Sequence, residues 1–206
     1  MEKILQQLDE IENELSQDRQ DPEIWNDHGV GLHLLGRYQK AVESFRSAIQ
    51  LKQDHPTYHF NLANSYMELG EIEKAIDSFL TALDHNPNHI PSLNNLADAY
   101  ELAGQADQAH ELFHYLTCIQ PDDPLSHFNL GNFLLRQNQH IEAAKCYEKT
   151  IELDESFIDA YFNIAWILKR VRAIPESISY AKKGLALDPG HKDLQELINE
   201  LNSTAD

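Results

Sequence analysis

Hydrophobic, small and polar positions recur along the chain with a period of 34 residues. Alanines stand at Ala41, Ala75, Ala109 and Ala143, and an aromatic residue follows each of them, at Phe45, Phe79, Phe113 and Tyr147. Asparagines share the period, at Asn61, Asn95, Asn129 and Asn163. Separate series of residues with one common period indicate a repeat architecture. With Pro22 as the first position, the period predicts five repeats, at 22–55, 56–89, 90–123, 124–157 and 158–191.

Each repeat predicts two amphipathic helices, A and B, joined by a short turn. In the second repeat, apolar residues with helical spacing occupy 62–69 and again 75–82, and Gly70 lies between the two runs. Glycine ends a helix readily because it adopts the left-handed backbone conformation without steric cost. The fifth repeat has Arg172 in the position of this glycine and Ser177 in the position of the first alanine. These departures predict an altered turn in that repeat.

Amphipathic segments flank the repeats on both sides. The first places Ile4, Leu8, Ile11 and Leu15 on one stripe, and the second does so with Leu194, Leu197, Ile198 and Leu201. Because an array of stacked helices exposes apolar surface at its ends, such helices are expected to cover it. We therefore predict an N-terminal capping helix and linker at 1–20 and a C-terminal capping helix at 192–206. Dimerisation through the first stripe is the alternative.

The first repeat carries a recognisable set of residues: Trp25, Gly29, Leu32, Gly36, Tyr38, Ala41, Phe45 and Ala48. This pattern resembles the tetratricopeptide repeat. The resemblance implies an all-α fold, a right-handed α-solenoid (superhelix) of five helix-turn-helix repeats whose A helices line a concave groove. It also implies a non-catalytic adaptor or scaffold for protein–protein interaction that binds an extended peptide or partner segment in this groove. Two alternatives remain, a self-assembling oligomeric scaffold and an accessory module of a glycosyl- or methyltransferase system.

By the same resemblance, a series of carboxamide side chains faces the groove. A carboxamide is both a donor and an acceptor, so it can bond the N–H and the C=O of one peptide unit. The series is similar to the asparagine ladder in the superhelix of the O-linked N-acetylglucosamine transferase, and it predicts contacts to the backbone of a bound peptide. The alternative is that these residues only solvate the groove. The predicted residues are Asn61, Asn64, Asn95, Asn129, Asn132 and Asn163.

Aromatic and charged residues complete the predicted peptide-binding site. Phe128, Phe162 and Trp166 are candidate apolar anchors, although the two phenylalanines could instead pack between neighbouring A helices. Charged residues in the groove would set the direction and selectivity of binding by electrostatic complementarity, or would simply be solvated. These are Asp98, Arg136, Lys169 and Arg170.

The charge of the chain restricts the class of partner. The 34 acidic and 16 basic residues give a formal net charge of −18, which disfavours nucleic acid and anionic membrane surfaces. No apolar run reaches the ~20 residues that cross a bilayer. Basic residues of the kind that hold the C-terminal carboxylate of chaperones are replaced by Asn26, Pro91 and Asn95. We therefore expect a protein or peptide partner, no nucleic acid, no membrane insertion and no chaperone-tail clamp, in a monomer or weak homo-oligomer.

Candidate catalytic chemistry is limited to one string, the H-E-x-x-H pattern of zinc hydrolases at 110–114. The repeat frame places His110 at a position that packs between helices and His114 on the convex side, and a third ligand is not recognisable. We therefore expect no enzymatic activity, no metal site and no cofactor. Cys118 and Cys146 are read as reduced thiols packed on B helices, which favours a cytoplasmic location.

Overall fold

The computed structural model describes residues 2–203, and this part of the chain contains α-helices and no strands. The chain divides between Leu112 and Phe113 into two compact units. The first unit contains α1 (Glu2–Gln17), α2 (Pro22–Leu34), α3 (Tyr38–Leu51), α4 (Pro56–Glu68), α5 (Ile72–His85) and α6 (Ile90–Leu102). The second contains α8 (Pro124–Arg136), α9 (His140–Leu153), α10 (Ile158–Arg170), α11 (Ile174–Leu187) and α12 (Lys192–Ser203), and α7 (Ala106–Ile119) crosses the division. The predicted all-α fold of paired helices is confirmed.

Local sequence explains where the helices begin. Proline is the first residue of α2, α4 and α8, a position where the missing N–H costs no helical hydrogen bond. Asp21 caps α2 by accepting a 2.9 Å hydrogen bond from the backbone N–H of Glu23. Asp123 caps α8 in the same manner through the N–H of Ser126, at 3.0 Å. These side chains satisfy donors that the first helical turn leaves without an intrahelical partner.

The turns between helices A and B share one conformation. A residue with φ between 61° and 74° ends each turn, and the next residue donates its N–H to the carbonyl five positions back, as in Glu71 to Tyr66 at 2.9 Å. The five residues are Gly36, Gly70, Gly104, Asn138 and Arg172. The predicted altered turn of the fifth repeat is therefore wrong. Arg172 adopts a φ of 63°, and Ala173 bonds the carbonyl of Leu168 at 2.9 Å.

Serine replaces alanine in the fifth repeat without leaving a buried group unsatisfied. Ser177 is fully buried, and its hydroxyl donates a 2.6 Å hydrogen bond to the carbonyl of Ala165. A buried hydroxyl without a partner would be costly, whereas this bond stays within the α10–α11 pair. The close packing of the pair is therefore kept despite the polar substitution.

Small residues allow the helices of each pair to approach closely. In the first unit, α2 packs on α3 and α4 on α5, and α3 and α5 contact the following A helices. A Cβ added to Gly29 would lie 2.5 Å from the ring of Phe45, which is 1% exposed. In the second unit, α8 packs on α9 and α10 on α11. A Cβ on Gly131 would lie 2.7 Å from the ring of Tyr147, so both units use glycine at the helix crossing.

The first and last helices pack within their own units. Leu8 and Leu15 of α1 are buried, and α1 lies against α2. Leu194, Leu197 and Leu201 of α12 are buried in contact with α10 and α11. Residues 1 and 204–206, which belong to the predicted terminal segments, lie outside the described residues.

Candidate functional site

Carboxamides of neighbouring A helices bond one another in the first unit. Asn61 on α4 donates its amide to the side-chain carbonyl of Asn26 on α2, at 2.9 Å. Asn95 on α6 donates in the same sense to Asn64 on α4, at 2.7 Å. Three of these residues are half-buried and Asn26 is buried. The predicted carboxamides thus also join successive A helices.

The second unit contains an equivalent pair. Asn163 on α10 donates to the side-chain carbonyl of Asn132 on α8, at 3.4 Å. That carbonyl also accepts a 2.9 Å hydrogen bond from the hydroxyl of Tyr147. Burial raises the pKa of the Tyr147 phenol above its usual value, so this hydroxyl remains a donor at neutral pH. Asn129 lies half-buried on α8, one turn before Asn132.

These pairs use only part of the bonding capacity of each amide. A carboxamide has two N–H donors and an oxygen with two lone pairs. The Asn64–Asn95 bond consumes one donor of Asn95 and one lone pair of Asn64. Both residues are half-buried, so they also reach solvent. The pairing fixes the rotamers of both amides, which lowers the entropy cost of a further contact.

The aromatic candidates in the second unit pack against other rings. Phe128 lies with its ring centroid 5.6 Å from that of Tyr147 and 4.7 Å from that of Phe157. Phe162 is half-buried and lies 6.3 Å from the His191 ring. The alternative that these phenylalanines pack between helices therefore describes part of their role.

Trp166 is covered on two sides. The guanidinium of Arg170 lies 4.8 Å from its ring centroid, within range of a cation–π interaction, and His140 meets it edge-on at 6.3 Å. Lys169 forms a salt bridge with Glu200 of α12, and its side chain is largely covered. Arg136 and Asp98 are exposed. Lys169 and Arg170 thus each contact a defined side chain of the second unit.

The H-E-x-x-H string lies on the solvent side of α7. His110, Glu111 and His114 are all exposed, so the prediction that His110 packs between helices is wrong. An imidazole is readily solvated, whereas the aliphatic residues at this position in the first two repeats are buried. Cys118 is also exposed, which corrects its predicted packing, and its sulfur lies 3.6 Å from Nδ1 of His114. Within residues 2–203, no three His, Cys, Asp or Glu side chains are grouped as metal ligands.

A small hollow lies beside the carboxamides of α4. It has a volume of about 80 Å³ and is lined by Val30, His33, Leu34, Phe45, Asn61 and Asn64. Burial lowers the pKa of His33, and the nearby Glu68 carboxylate opposes this shift only in part. The ring is therefore neutral at physiological pH, and its Nδ1 lies 3.0 Å from the hydroxyl of Ser65. The hollow thus offers neutral polar groups beside an apolar wall.

Protein-family models match three stretches of the chain. A TPR repeat model matches residues 31–70, a tetratricopeptide repeat model matches 56–89, and the middle TPR-like domain of cilia and flagella-associated protein 70 matches 93–176. The chain belongs to the tetratricopeptide-repeat family. The scaffold fold of this family is consistent with a function in protein–protein interaction. Among residues 2–203, each helix is too short or too polar to cross a membrane.

Solved tetratricopeptide-repeat structures share the fold at low sequence identity. YrrB, described as a TPR protein with an unusual peptide-binding site, has a TM-score of 0.66 at 16% identity over 90% of this chain and 96% of its own. The C-terminal part of a TPR repeat-containing protein from Cytophaga hutchinsonii reaches 0.79 at 16% identity, over 98% and 81% of the two chains. PilF from Pseudomonas aeruginosa reaches 0.74 at 17% identity, over 89% and 84%.

A curated relative matches a shorter stretch. The human protein O-mannosyl-transferase TMTC3 is 26% identical over 83 residues, which are 40% of this chain and 9% of that protein. The chain thus corresponds to a small fraction of the length of this relative.

The repeat positions of the tetratricopeptide pattern did not identify three residues that shape the candidate site. Asn26 bonds Asn61, Tyr147 bonds Asn132, and Glu200 pairs with Lys169. A carboxamide directly before Asp27 in the frame is a signal that could have identified Asn26. The tyrosine hydroxyl and the α12 glutamate depend on how helices pack, for which the sequence has no direct signal.

Proposed function

We propose that this tetratricopeptide-repeat protein is a non-catalytic adaptor that binds an extended segment of a partner protein along its A helices. The carboxamide pairs carry the proposal, because they recur in both units and because Asn61, Asn64, Asn95, Asn132 and Asn163 are only half-buried, so part of each residue faces solvent. An extended segment offers N–H and C=O groups at regular intervals, and pre-fixed amides can bond them with little preference for side chains.

The other predicted residues would add selectivity to this backbone grip. Trp166, which is half-buried between Arg170 and His140, would contact an apolar side chain of the segment. The exposed charges of Asp98 and Arg136 would favour segments that carry the opposite charge beside each of them. The similarity to YrrB, whose structure is described as having a peptide-binding site, agrees with this type of ligand.

The test is capture of partners from a cell lysate followed by mass spectrometry. The decisive variant is Asn64→Ala with Asn95→Ala, because removing both members of one hydrogen-bonded pair leaves neither amide without its partner. Its control is Gln39→Ala with Gln50→Ala, which removes two exposed carboxamides from α3. Circular dichroism and urea unfolding establish that both variants are folded.

We expect a partner that wild type and the control retain and the Asn64/Asn95 variant loses, with an affinity for the isolated partner segment about tenfold weaker. Equal capture by all three proteins would move the interface away from the A helices. In that case the carboxamide pairs would be structural only, and the proposal would fail.

A second candidate, the accessory module of a glycosyltransferase, is favoured by the match to TMTC3. It predicts that a glycosyltransferase co-purifies in stoichiometric amount and that removing this chain lowers its activity. Absence of any such enzyme among the captured proteins would eliminate this candidate without affecting the first.

A further inference from the structure

A cavity of about 360 Å³ lies between α1 and α2 in the first unit. Five aliphatic side chains line part of it and are together named its apolar floor: Ile4, Leu8, Ile11, Val30 and Leu34. Leu34 is 62% exposed, so a large aliphatic side chain lies open to solvent at this point. The volume is sufficient for one or two side chains of a partner, and burying this floor would be favourable by the hydrophobic effect.

Three acidic residues line the same cavity, Glu10, Glu14 and Asp27. All three residues are exposed, and among the described residues that line the cavity there is no lysine or arginine. The negative charge extends beyond the cavity, since nine of the first 27 residues are acidic and two are basic. The cavity therefore combines an apolar floor with a strongly negative edge.

The cavity continues towards the carboxamides of α4. Val30 and Leu34 line both this cavity and the hollow that contains Asn61 and Asn64. A segment seated between α1 and α2 would therefore reach these two asparagines without leaving the surface of the first unit.

We propose that the α1–α2 cavity binds a basic segment of a partner protein that carries an aliphatic or aromatic anchor. The anchor occupies the floor, lysines or arginines lie beside the three carboxylates, and the backbone continues to Asn61 and Asn64. This proposal rests on the proposed function and names the chemistry of its ligand in the first unit.

A second copy of the chain fits this cavity poorly. A symmetric dimer through this face would place Glu10, Glu14 and Asp27 of one copy near the same carboxylates of the other, and like charges in an interface are repulsive. An acidic ligand meets the same repulsion. A basic, partly apolar segment can bury an apolar side chain against the floor and pair its positive charges with the three carboxylates.

The test uses a fluorescein-labelled peptide with one leucine between lysines on a Gly/Ser background. Binding to the full chain is followed by fluorescence anisotropy at physiological salt. Two further peptides replace the lysines by glutamates or the leucine by serine, and we expect both to bind at least about tenfold more weakly. If the serine peptide bound as tightly as the leucine peptide, the proposed apolar anchor would be wrong.

Matched protein variants separate the cavity from the general negative charge of the chain. Glu10→Gln, Glu14→Gln and Asp27→Asn together should weaken binding about tenfold. The combination Glu43→Gln, Glu73→Gln and Asp77→Asn changes the charge equally at exposed positions of α3 and α5, and should weaken binding less than about twofold. Equal effects of the two combinations would overturn the proposal in favour of diffuse attraction.

Leucine variants test the floor. Leu34→Ser should weaken binding several-fold, about the effect of one lost apolar contact, whereas Leu102→Ser should not, although Leu102 holds the same repeat position and is 66% exposed. Both side chains lie open to solvent, so neither variant removes a core contact. Equal binding by both variants, or a dimer in sedimentation that Leu34→Ser dissociates, would overturn the proposal.

The two proposals fail in distinguishable ways. If the basic peptide does not bind but a lysate partner still depends on Asn64 and Asn95, the ligand chemistry of the cavity is wrong and the adaptor function stands. If the peptide binds through Leu34 while lysate partners ignore the asparagines, the cavity is a binding site and the carboxamide site is wrong.

Discussion

The crossing of α2 and α3 should reject even one additional methyl group. A Cβ at Gly29 would lie 2.5, 2.7 and 2.9 Å from three ring carbons of Phe45, whereas ordinary van der Waals contact begins at 3.4 Å. Phe45 is 1% exposed, and the space that its ring borders is a hollow of only about 80 Å³. Gly29→Ala must therefore displace the packed ring of Phe45 or move α2 away from α3.

Two opposing effects determine the size of the change. Alanine is favoured over glycine in a helix interior by about 1 kcal/mol. Overpacking of a closely packed core costs about 1–3 kcal/mol. Ala63 holds the same repeat position opposite Phe79, so a helix pair can accept this methyl group when its spacing allows it. For Gly29→Ala we expect the clash to exceed the helix preference, with a net loss of stability of up to about 2 kcal/mol.

Urea unfolding followed by tryptophan fluorescence measures this loss in the first unit. The chain has two tryptophans, Trp25 and Trp166, so a Trp166→Phe background leaves Trp25 on α2 as the reporter. Gly31→Ala is the matched control, because its Cβ would meet only the terminal Cδ1 of Leu8, at 3.0 Å. This control should be neutral or slightly stabilised, since a flexible side-chain end can shift.

A partner substitution shows whether the ring is the cause. Phe45→Leu removes the ring, and the double variant Gly29→Ala/Phe45→Leu should be more stable than the sum of the two single changes by about 1 kcal/mol. The reasoning is refuted if Gly29→Ala stabilises the first unit as much as Gly31→Ala does, or if the two changes are additive.

Three further predictions concern the turns, the tyrosines and the cysteines. Arg172→Gly should stabilise the second unit by about 1 kcal/mol in urea unfolding, because φ is 63° there, whereas Val171→Gly, at φ −87°, should destabilise it. Burial raises the pKa of Tyr58 above its usual value of 10.0, so at high pH the folded chain keeps a proton that the unfolded chain releases. The free energy of unfolding should therefore be constant below about pH 9 and fall above about pH 10. The fall should be less steep in Tyr58→Phe, and equal slopes in the two proteins would contradict this. A maleimide reagent near neutral pH should label exposed Cys118 in the folded chain but Cys146 only after unfolding, because burial, together with Glu142, raises the Cys146 pKa to about 11. Mass spectrometry of the labelled peptides measures the order of labelling, and labelling of Cys146 before Cys118 would contradict the prediction.

The period of the sequence determined most of the helices and turns. Two local signals mark A helices, a proline at the start and a residue with positive φ after the end. Pro22 and Pro56 are the first residues of α2 and α4, and Gly70 lies in the turn after α4. Arg172 shows the limit of local preference, because the packing of α10 on α11 enforces a conformation that arginine disfavours.

The candidate site depended on tertiary structure to a greater degree. The frame placed Asn61, Asn95 and Asn163 on the A helices, but their hydrogen bonds to amides of the preceding A helix depend on distances between helices that the sequence does not contain. The cavity between α1 and α2 depends in the same way on how two helices dock. The sequence by itself determined the helices and the faces of their residues, because these follow from local backbone preferences and periodicity. Only the tertiary structure decided which polar groups bond one another and where surface remains open, because those contacts join residues on different helices, 31 to 35 positions apart for the asparagine pairs.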